Sequence, residues 1–319
     1  MKQDSGKTEP FRELLQASLK SSDTEEWLDV HFTRKVGLLI ALACRKIGIR
    51  PNTVTIISIL LGIASAFMFY HTDLMHNLLG VVLLMSANFL DSADGQLARL
   101  TNSKSLLGRI LDGVAGDVWF ISIYIALCLR VTIGAAAVGQ WWIVAGVWLL
   151  GAVAGLLCHS VQSAQADYYR QIHLWMLKGE ADAELWQQKS NPQQSSVIEG
   201  KPWYAVLFDK GYAHYSRAQQ RRAPNCQRMI ALQADNYKKP VDMPQAIRDE
   251  FLSGSRPLMK WTNILTFNTR AIVLYICCLL NMPWLYFIFE IVVLHPIYFY
   301  MRSKHETLCK QVNQALYPV

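Results

Sequence analysis

Between Asp91 and Asp117 the chain sets four aspartates in a stretch otherwise apolar enough to cross a membrane. Gly95, Ala98 and Arg99 accompany the first two acids. Counted from Asp91, the residues Asp94, Gly95, Ala98 and Arg99 fall at steps of 3, 4, 7 and 8, which gathers all five on one helical face. After eight intervening residues, Gly108 and Asp112 begin the same pattern on a second helix. Two such helices lying antiparallel bring Asp91, Asp94 and Asp112 together. Three converging carboxylates repel one another and are costly near lipid unless a cation neutralises them. Hard divalent ions take oxygen ligands, and Mg2+ is typically held by carboxylates together with substrate phosphates. Gly95 and Ala98 leave room beside the acids, and the planar Arg99 fork suits a phosphate. The chemistry expected is metal-assisted work on a diphosphate at a membrane surface. The plainer alternative is acids paired within a bundle or capping helix ends, but Arg99 and Arg109 can neutralise only two of the four.

The elements that must position these residues are transmembrane helices. The chain has 319 residues, of which 52% are hydrophobic and only 17% charged, against about a quarter charged in soluble proteins. The apolar residues cluster into six runs, near 54–70, 78–97, 106–131, from 141, 265–280 and 284–300. Arg50-Pro51-Asn52-Thr53 opens the first, with proline favourable at a helix start. The expected fold is therefore an all-α integral membrane protein. It has six transmembrane helices, an N-terminal interfacial amphipathic helix and a helical cytoplasmic insertion. The divisions read as a mobile tail over 1–23, the interfacial helix over 24–50, and spans one to four with the aspartate motif over 51–170. The insertion covers 171–258, spans five and six 259–302, and a second cytoplasmic tail 303–319.

Six spans put both termini on one side. Loops 71–76, 132–140 and 281–283 carry no Lys or Arg, whereas Arg45, Lys46, Arg50, Arg99, Lys104, Arg109, Arg302 and Lys304 lie at the other ends. By the positive-inside rule the termini and the aspartates face the cytoplasm, across the inner or plasma membrane if the source is bacterial. The net charge of +7 reads as attraction to anionic lipids and substrates rather than to nucleic acid. The insertion is basic and aromatic without a nucleic-acid-binding module, and reads as a lid or a lipid-surface contact. The 7 cysteines show no C-x2-C pair and read as reduced or lipid-buried core residues, with no disulfide framework expected.

Further polar residues interrupt the later spans. His159, Gln162, Ser163 and Arg170 share one face, and either line an acceptor pocket or form a hydrogen-bond network inside the bundle. Arg270, Glu290 and His295 are intramembrane ionisable residues and functional candidates on that ground. Arg270 either receives an anionic acceptor or snorkels to the interface, with an ion pair to Glu290 as the plainer alternative.

At the aspartates the sequence resembles the CDP-alcohol phosphotransferases (CDP-alcohol phosphatidyltransferases), whose motif is D-x2-D-G-x2-A-R-x8-G-x3-D-x3-D. Asp91, Asp94, Gly95, Ala98, Arg99, Gly108 and Asp112 match it in register, but Gly116 occupies the fourth acidic position and Asp117 follows. One extra residue turns a helix by about 100°. A π-bulge would restore Asp117 to the shared face, with Gly113 and Gly116 easing the backbone. A Pro-Asn-x-x-Thr like that at 51–55 begins the first span in the family, which implies that Asn52 lies near the diphosphate.

The resemblance implies attack by a hydroxyl on the β-phosphorus of a CDP-linked substrate, with release of CMP. It implies two Mg2+ or Mn2+ ions held by Asp91, Asp94, Asp112 and Asp117, with Asp117 also the general base. Gly95, Ala98 and Gly108 would let cytidine and diphosphate approach, and Arg99 would hold the diphosphate. It also implies a homodimer among membrane lipids. A lipid setting favours CDP-diacylglycerol as donor to a small alcohol. Arg109, His159, Gln162 and Arg270 are the acceptor-binding candidates, with inositol phosphate favoured. Val118 after Asp117 resembles the trace of phosphatidylserine synthases and keeps serine as an alternative. Transfer from CDP-choline or CDP-ethanolamine to a lipid alcohol is another, and a catalytically inactive membrane scaffold is the alternative of a different class.

Overall fold

Long apolar runs punctuated by prolines, caps and short turns leave the backbone little choice but helix. The computed structural model describes residues 11–18, 21, 23–103, 105–179, 206 and 215–317, and no strand occurs among them. Six helical stretches are long and apolar enough to cross a membrane: Pro51–Phe69, Leu74–Leu100, Leu111–Ala137, Trp141–Lys178, Gln245–Leu279 and Trp284–Leu316. The chain is thus an all-α integral membrane protein. It divides into two compact units. The first comprises Met1–Gly151 with Leu274–Trp284, and the second Ala152–Val273 with Leu285–Val319.

In the first unit, helix α1 spans Phe11–Ser18, inside the tail expected to lack regular structure. Phe11, Leu14 and Leu15 recur at helical spacing there. A π-turn at Asp29–Thr33 leads into α2, Arg34–Ile47. Gly48 stops α2 in the left-handed conformation (φ 81°) with its N–H turned back to the carbonyls of Arg45 and Cys44. Pro51 starts α3, Pro51–Phe69. Asp73 caps α4, Leu74–Leu100, and Ser105 caps α5, Leu106–Ala137, each accepting a backbone N–H three residues on. Helix α6 follows at Trp141–Ala152.

Helix α3 packs against both α4 and α5, and α2 against α4. Small residues set how closely they approach. A Cβ on Gly62 of α3 would stand 2.0 Å from the Trp119 ring of α5, and one on Gly37 of α2 would stand 2.9 Å from Ser92 Oγ of α4. Gln96 Nε2 also donates to the Arg34 carbonyl (3.1 Å), tying α4 to α2. The Arg130 guanidinium is buried near the far end of α5 and donates to four carbonyl-type oxygens. These are Phe69 O (2.9 Å), Asn77 Oδ1 (2.8 Å), Cys278 O (3.2 Å) and Asn281 Oδ1 (2.7 Å).

In the second unit a π-turn at Val153–His159 precedes α7, Ser160–Lys178. The described helices of the insertion are 215–222, α8 at Pro224–Asn236 and α9 at Gln245–Ser255. Then come α10 at Met259–Ile264, α11 at Phe267–Leu279 (whose last residues belong to the first unit) and α12 at Trp284–Phe289. A π-turn at Glu290–Leu294 leads into α13, His295–Leu316. Much of the insertion read as a lid is instead core. Met229 and Phe251 are buried with Tyr169 and Trp175 of α7 and Met301 and Val312 of α13. The Gln/Ser-rich break at 186–196 and the piece expected at 202–214 lie outside the described residues, Val206 excepted.

The expectation of reduced cysteines is corrected for one pair. Cys226 of α8 and Cys309 of α13 form a disulfide, with Cα atoms 5.1 Å apart across 83 residues of sequence. The other five are free and buried.

The close approach at Gly62 makes a signed prediction. Gly62→Ala forces the Trp119 ring to move and lowers stability by about 1–3 kcal/mol. Gly134→Ala, whose Cβ would meet nothing within 4 Å, raises it by about 0.5–1 kcal/mol through helix propensity. Thermal melts of the detergent-solubilised protein check both signs.

Candidate active site

The last turns of α4 carry Asp91, Asp94, Gly95, Ala98 and Arg99, and the first turns of α5 carry Gly108 and Asp112. The structure brings the acids together as their spacing requires. One carboxylate oxygen from each of Asp91, Asp94 and Asp112 lies within 4.8 Å of the others. Their surroundings are graded. Asp94 is 4% exposed, Asp91 is half-buried and Asp112 is open to solvent. The donor set is all oxygen and reachable from water on one side, which fits a hard divalent cation.

The buried member is anchored from α3. The Thr55 hydroxyl donates to Asp94 Oδ2, giving the least hydrated carboxylate a neutral donor. The sequence reading did not single out Thr55. Its signal was there, because Pro-Asn-x-x-Thr places Thr55 one helical turn after Pro51, on the face that α3 turns to α4.

Asn52 does a different job. Ser105 Oγ donates to Asn52 Oδ1 at 3.2 Å and accepts the Gly108 N–H at 3.0 Å. A Cβ on Gly108 would lie 2.6 Å from Asn52 Oδ1. Gly108 is therefore required for the start of α5 to touch the start of α3, and that contact sets the position of Asp112 one turn later.

Arg99 folds back along its own helix. A Cβ on Gly95 would lie 3.7 and 3.8 Å from the Arg99 Nη1 and Nη2 atoms, so the guanidinium stands over the glycine face. The charges acting on it are those of Arg34, Glu25, Asp112 and Asp94. Arg34 is itself held by Glu25 in a forked pair, with both contacts at 3.2 Å. A second guanidinium, carried by α2, thus acts on Arg99; the sequence shows Arg34 only as a charge flanking the apolar part of the interfacial helix. Ala98 is half-buried on the same helix.

Asp117 stands outside the group of three. The bulge that would turn it inward does not form. Leu106–Ala137 is one α-helix, and the π-turns occur at Asp29–Thr33, Val153–His159 and Glu290–Leu294 instead. Five residues beyond Asp112, an unbroken helix carries Asp117 about 140° around from it.

The acceptor candidates divide between the units. The Arg109 side chain lies outside the described residues. His159, Gln162 and Arg270 meet in the second unit, around Glu290. Arg270 is 1% and Glu290 0% exposed. The guanidinium donates to Glu290 Oε2, His159 Nδ1 (3.0 Å), Gln162 Oε1 (2.7 Å) and the Leu265 carbonyl (3.2 Å). Tyr286 donates to the other Glu290 oxygen at 2.8 Å. Two of the π-turns end or begin here, at His159 and Glu290. The widened backbone re-aims those side chains into one cluster. The donors of Arg270 are spent on this network, and the ion pair with Glu290 is the arrangement that forms. Of the remaining stripe, Ser163 turns back to the His159 carbonyl (2.9 Å) and Arg170 donates to Asn263 Oδ1 (2.9 Å).

Comparison with known proteins now bears on this geometry. Residues 49–176, with all four aspartates, match the family model described as CDP-alcohol phosphatidyltransferase. Over 83 residues the chain is 35% identical to the archaetidylinositol phosphate synthase of Pyrococcus horikoshii, covering 26% of this chain and 43% of that protein. Over 163 residues it is 30% identical to the bifunctional IPC transferase and DIPP synthase of Thermococcus kodakarensis, covering 51% of this chain and 35% of that protein. The chain therefore spans less than half the length of these curated relatives.

Two substitutions test the two polar clusters. Thr55→Val removes the donor to Asp94 and weakens Mn2+ binding, read by paramagnetic titration, by about 10–100-fold. Glu290→Gln leaves Arg270 buried without its counter-ion and lowers stability by about 3–5 kcal/mol. An unchanged melting temperature would contradict that.

Proposed function

We propose that this chain is a CDP-alcohol phosphotransferase of phospholipid synthesis. In this reading it moves a phosphatidyl group from CDP-diacylglycerol to a small hydroxyl acceptor, inositol phosphate first, and releases CMP. The observation that carries it is the convergence of Asp91, Asp94 and Asp112 beside Arg99, inside a domain matched to that family. The acceptor is favoured by the likeness to the Pyrococcus relative, an archaetidylinositol phosphate synthase. Serine loses ground, because Trp119 and Phe120, which follow Val118, are 2% and 5% exposed and serve packing.

In the reaction the acceptor hydroxyl oxygen forms a bond to the β-phosphorus, and the bond from that phosphorus to the oxygen bridging to CMP breaks. The bond electrons leave with CMP, and the hydroxyl proton passes to water. Such chemistry needs positioning and charge neutralisation more than covalent help. Asp91, Asp94 and Asp112 would hold Mg2+ or Mn2+, which supplies charge neutralisation at the diphosphate. Thr55 fixes Asp94, Asn52 and Gly108 fix the approach of α5, and Arg99 binds a diphosphate oxygen. Asp117 is given no ligand role here, which departs from what the family motif implies. The charge asymmetry of the loops supports a cytoplasmic site and cytoplasmic termini, and assembly as a homodimer belongs to the same reading.

The test is CMP release by the purified protein. It is incubated with CDP-diacylglycerol, Mg2+ or Mn2+, and inositol phosphate, inositol, glycerol phosphate, serine or ethanolamine in turn. Release is expected with inositol phosphate, and Asp112→Asn lowers it by at least about 100-fold. Asp117→Asn lowers it far less than Asp112→Asn. Equal losses would return Asp117 to the site. Release with serine alone would replace the acceptor, and release only from CDP-choline or CDP-ethanolamine would replace the donor. None with any pair would leave the scaffold.

A further inference from the structure

A second set of metal-ligand side chains lies at the opposite end of α3 and α4 from the aspartates. Where α3 turns into α4, His71-Thr72-Asp73-Leu74-Met75-His76 brings two imidazoles and a carboxylate to one place. One ligand atom from each of His71, Asp73 and His76 lies within 4.8 Å of the others. The two imidazole rings stack with centroids 4.2 Å apart and 30° between their planes. Asp73 caps α4 by accepting the His76 N–H at 3.1 Å. Its two oxygens also lie 2.8 and 2.7 Å from His76 Nδ1.

The turn is fixed from beneath. Asn77 Nδ2 donates to the carbonyls of His71 (3.2 Å) and Asp73 (2.6 Å), while its Oδ1 accepts from the buried Arg130 guanidinium at 2.8 Å. The brace sets the backbone and leaves the ligand side chains to the solvent. His71 and His76 are half-buried and Asp73 is exposed. Phe67 and Tyr70 meet the His71 ring edge-on at 5.7 and 5.3 Å.

We propose that His71, Asp73 and His76 form a second metal site, distinct in chemistry from the aspartate group, for a borderline divalent ion such as Zn2+. Two imidazole nitrogens and one carboxylate oxygen, with positions left for water, are a zinc-type donor set. Mg2+, which wants oxygen throughout, is excluded by the same set. Zinc ligands about 2.0–2.2 Å from the ion stand about 3.4 Å apart in a tetrahedron. Rotation of three solvent-facing side chains closes the remaining gap. The ion takes the place of the His76–Asp73 hydrogen bond, His76 binding as the neutral ring with its proton on the other nitrogen. An ion there staples the end of α3 to the start of α4.

The test uses the full chain in detergent, stripped with chelator and then given saturating Mg2+ to fill the aspartate group. Zn2+ titration by calorimetry is expected to show a single equivalent and a raised melting temperature. Co2+ is expected to give the visible absorption of a low-coordinate nitrogen-ligated ion. The double variant His71→Asn, His76→Asn loses that equivalent while its melting temperature without Zn2+ stays in place. Asp73→Asn keeps the cap and weakens Zn2+ by about 10–100-fold. The equivalent persists in Asp112→Asn. Undiminished Zn2+ binding in the double histidine variant, or binding that disappears in Asp112→Asn, overturns the proposal and leaves a capped turn with a hydrogen-bonded His–Asp pair. Because none of these readouts is CMP release, a failed phosphotransferase reading does not touch this one.

Discussion

Three carboxylates drawn within 4.8 Å of one another at the end of apolar helices are the constraint from which the first unit is arranged. Two unit charges 4 Å apart repel by about 1 kcal/mol in water and about 4 kcal/mol near a protein surface. The arrangement holds only if each acid has its own means of relief. Asp94, the buried one, takes a hydroxyl from Thr55. Asp112 keeps its water, and Arg99 folds over Gly95 to bring a positive charge alongside. The Thr55 contact depends on how closely α3 and α4 approach, and the placing of Asp112 on how closely α3 and α5 do, which is why glycine stands at Gly62 and Gly108.

Buried cations show two other solutions to charge in a span. Arg130 is held by four carbonyl-type oxygens. Its charge is dispersed into dipoles that the turns of the first unit supply. Arg270 is matched by Glu290 and hydrogen-bonded on every side of its fork. An ionisable residue inside a membrane segment is a fair functional candidate, yet both arginines are occupied with the fold. The distinction lies in saturation: Arg99, partly exposed and resting on a glycine, retains directions in which to bind.

The parts that were legible in the sequence obey a local period. Six apolar runs, the face shared by Asp91, Asp94 and Arg99, and the meeting with Asp112 all follow from helical spacing and an antiparallel turn. Thr55 was within reach, because the motif that drew attention to Asn52 ends on it. Cys226 and Cys309 were not, since 83 residues separate them and no local pattern marks a pairing between two helices. Arg34 was hidden for a similar reason. It reads as a flanking charge of an interfacial helix, and only the packing of α2 on α4 brings it near Arg99.

The register of Asp117 shows how packing overrules a motif. A π-bulge between Asp112 and Asp117 would turn the acid inward, and it would also rotate every later residue of α5 by about 100°. Trp119 is two residues further on, 2% exposed, with its ring lying where a Gly62 side chain would be. Inside a span that contact is close van der Waals packing rather than removal from water, and giving up a packed tryptophan costs about 3–5 kcal/mol. The gain from a fourth carboxylate, brought among three that already repel, is smaller and depends on a cation being present. Asp117 therefore points where the Trp119–Gly62 contact sends it, and the three-acid group is what the remaining register allows.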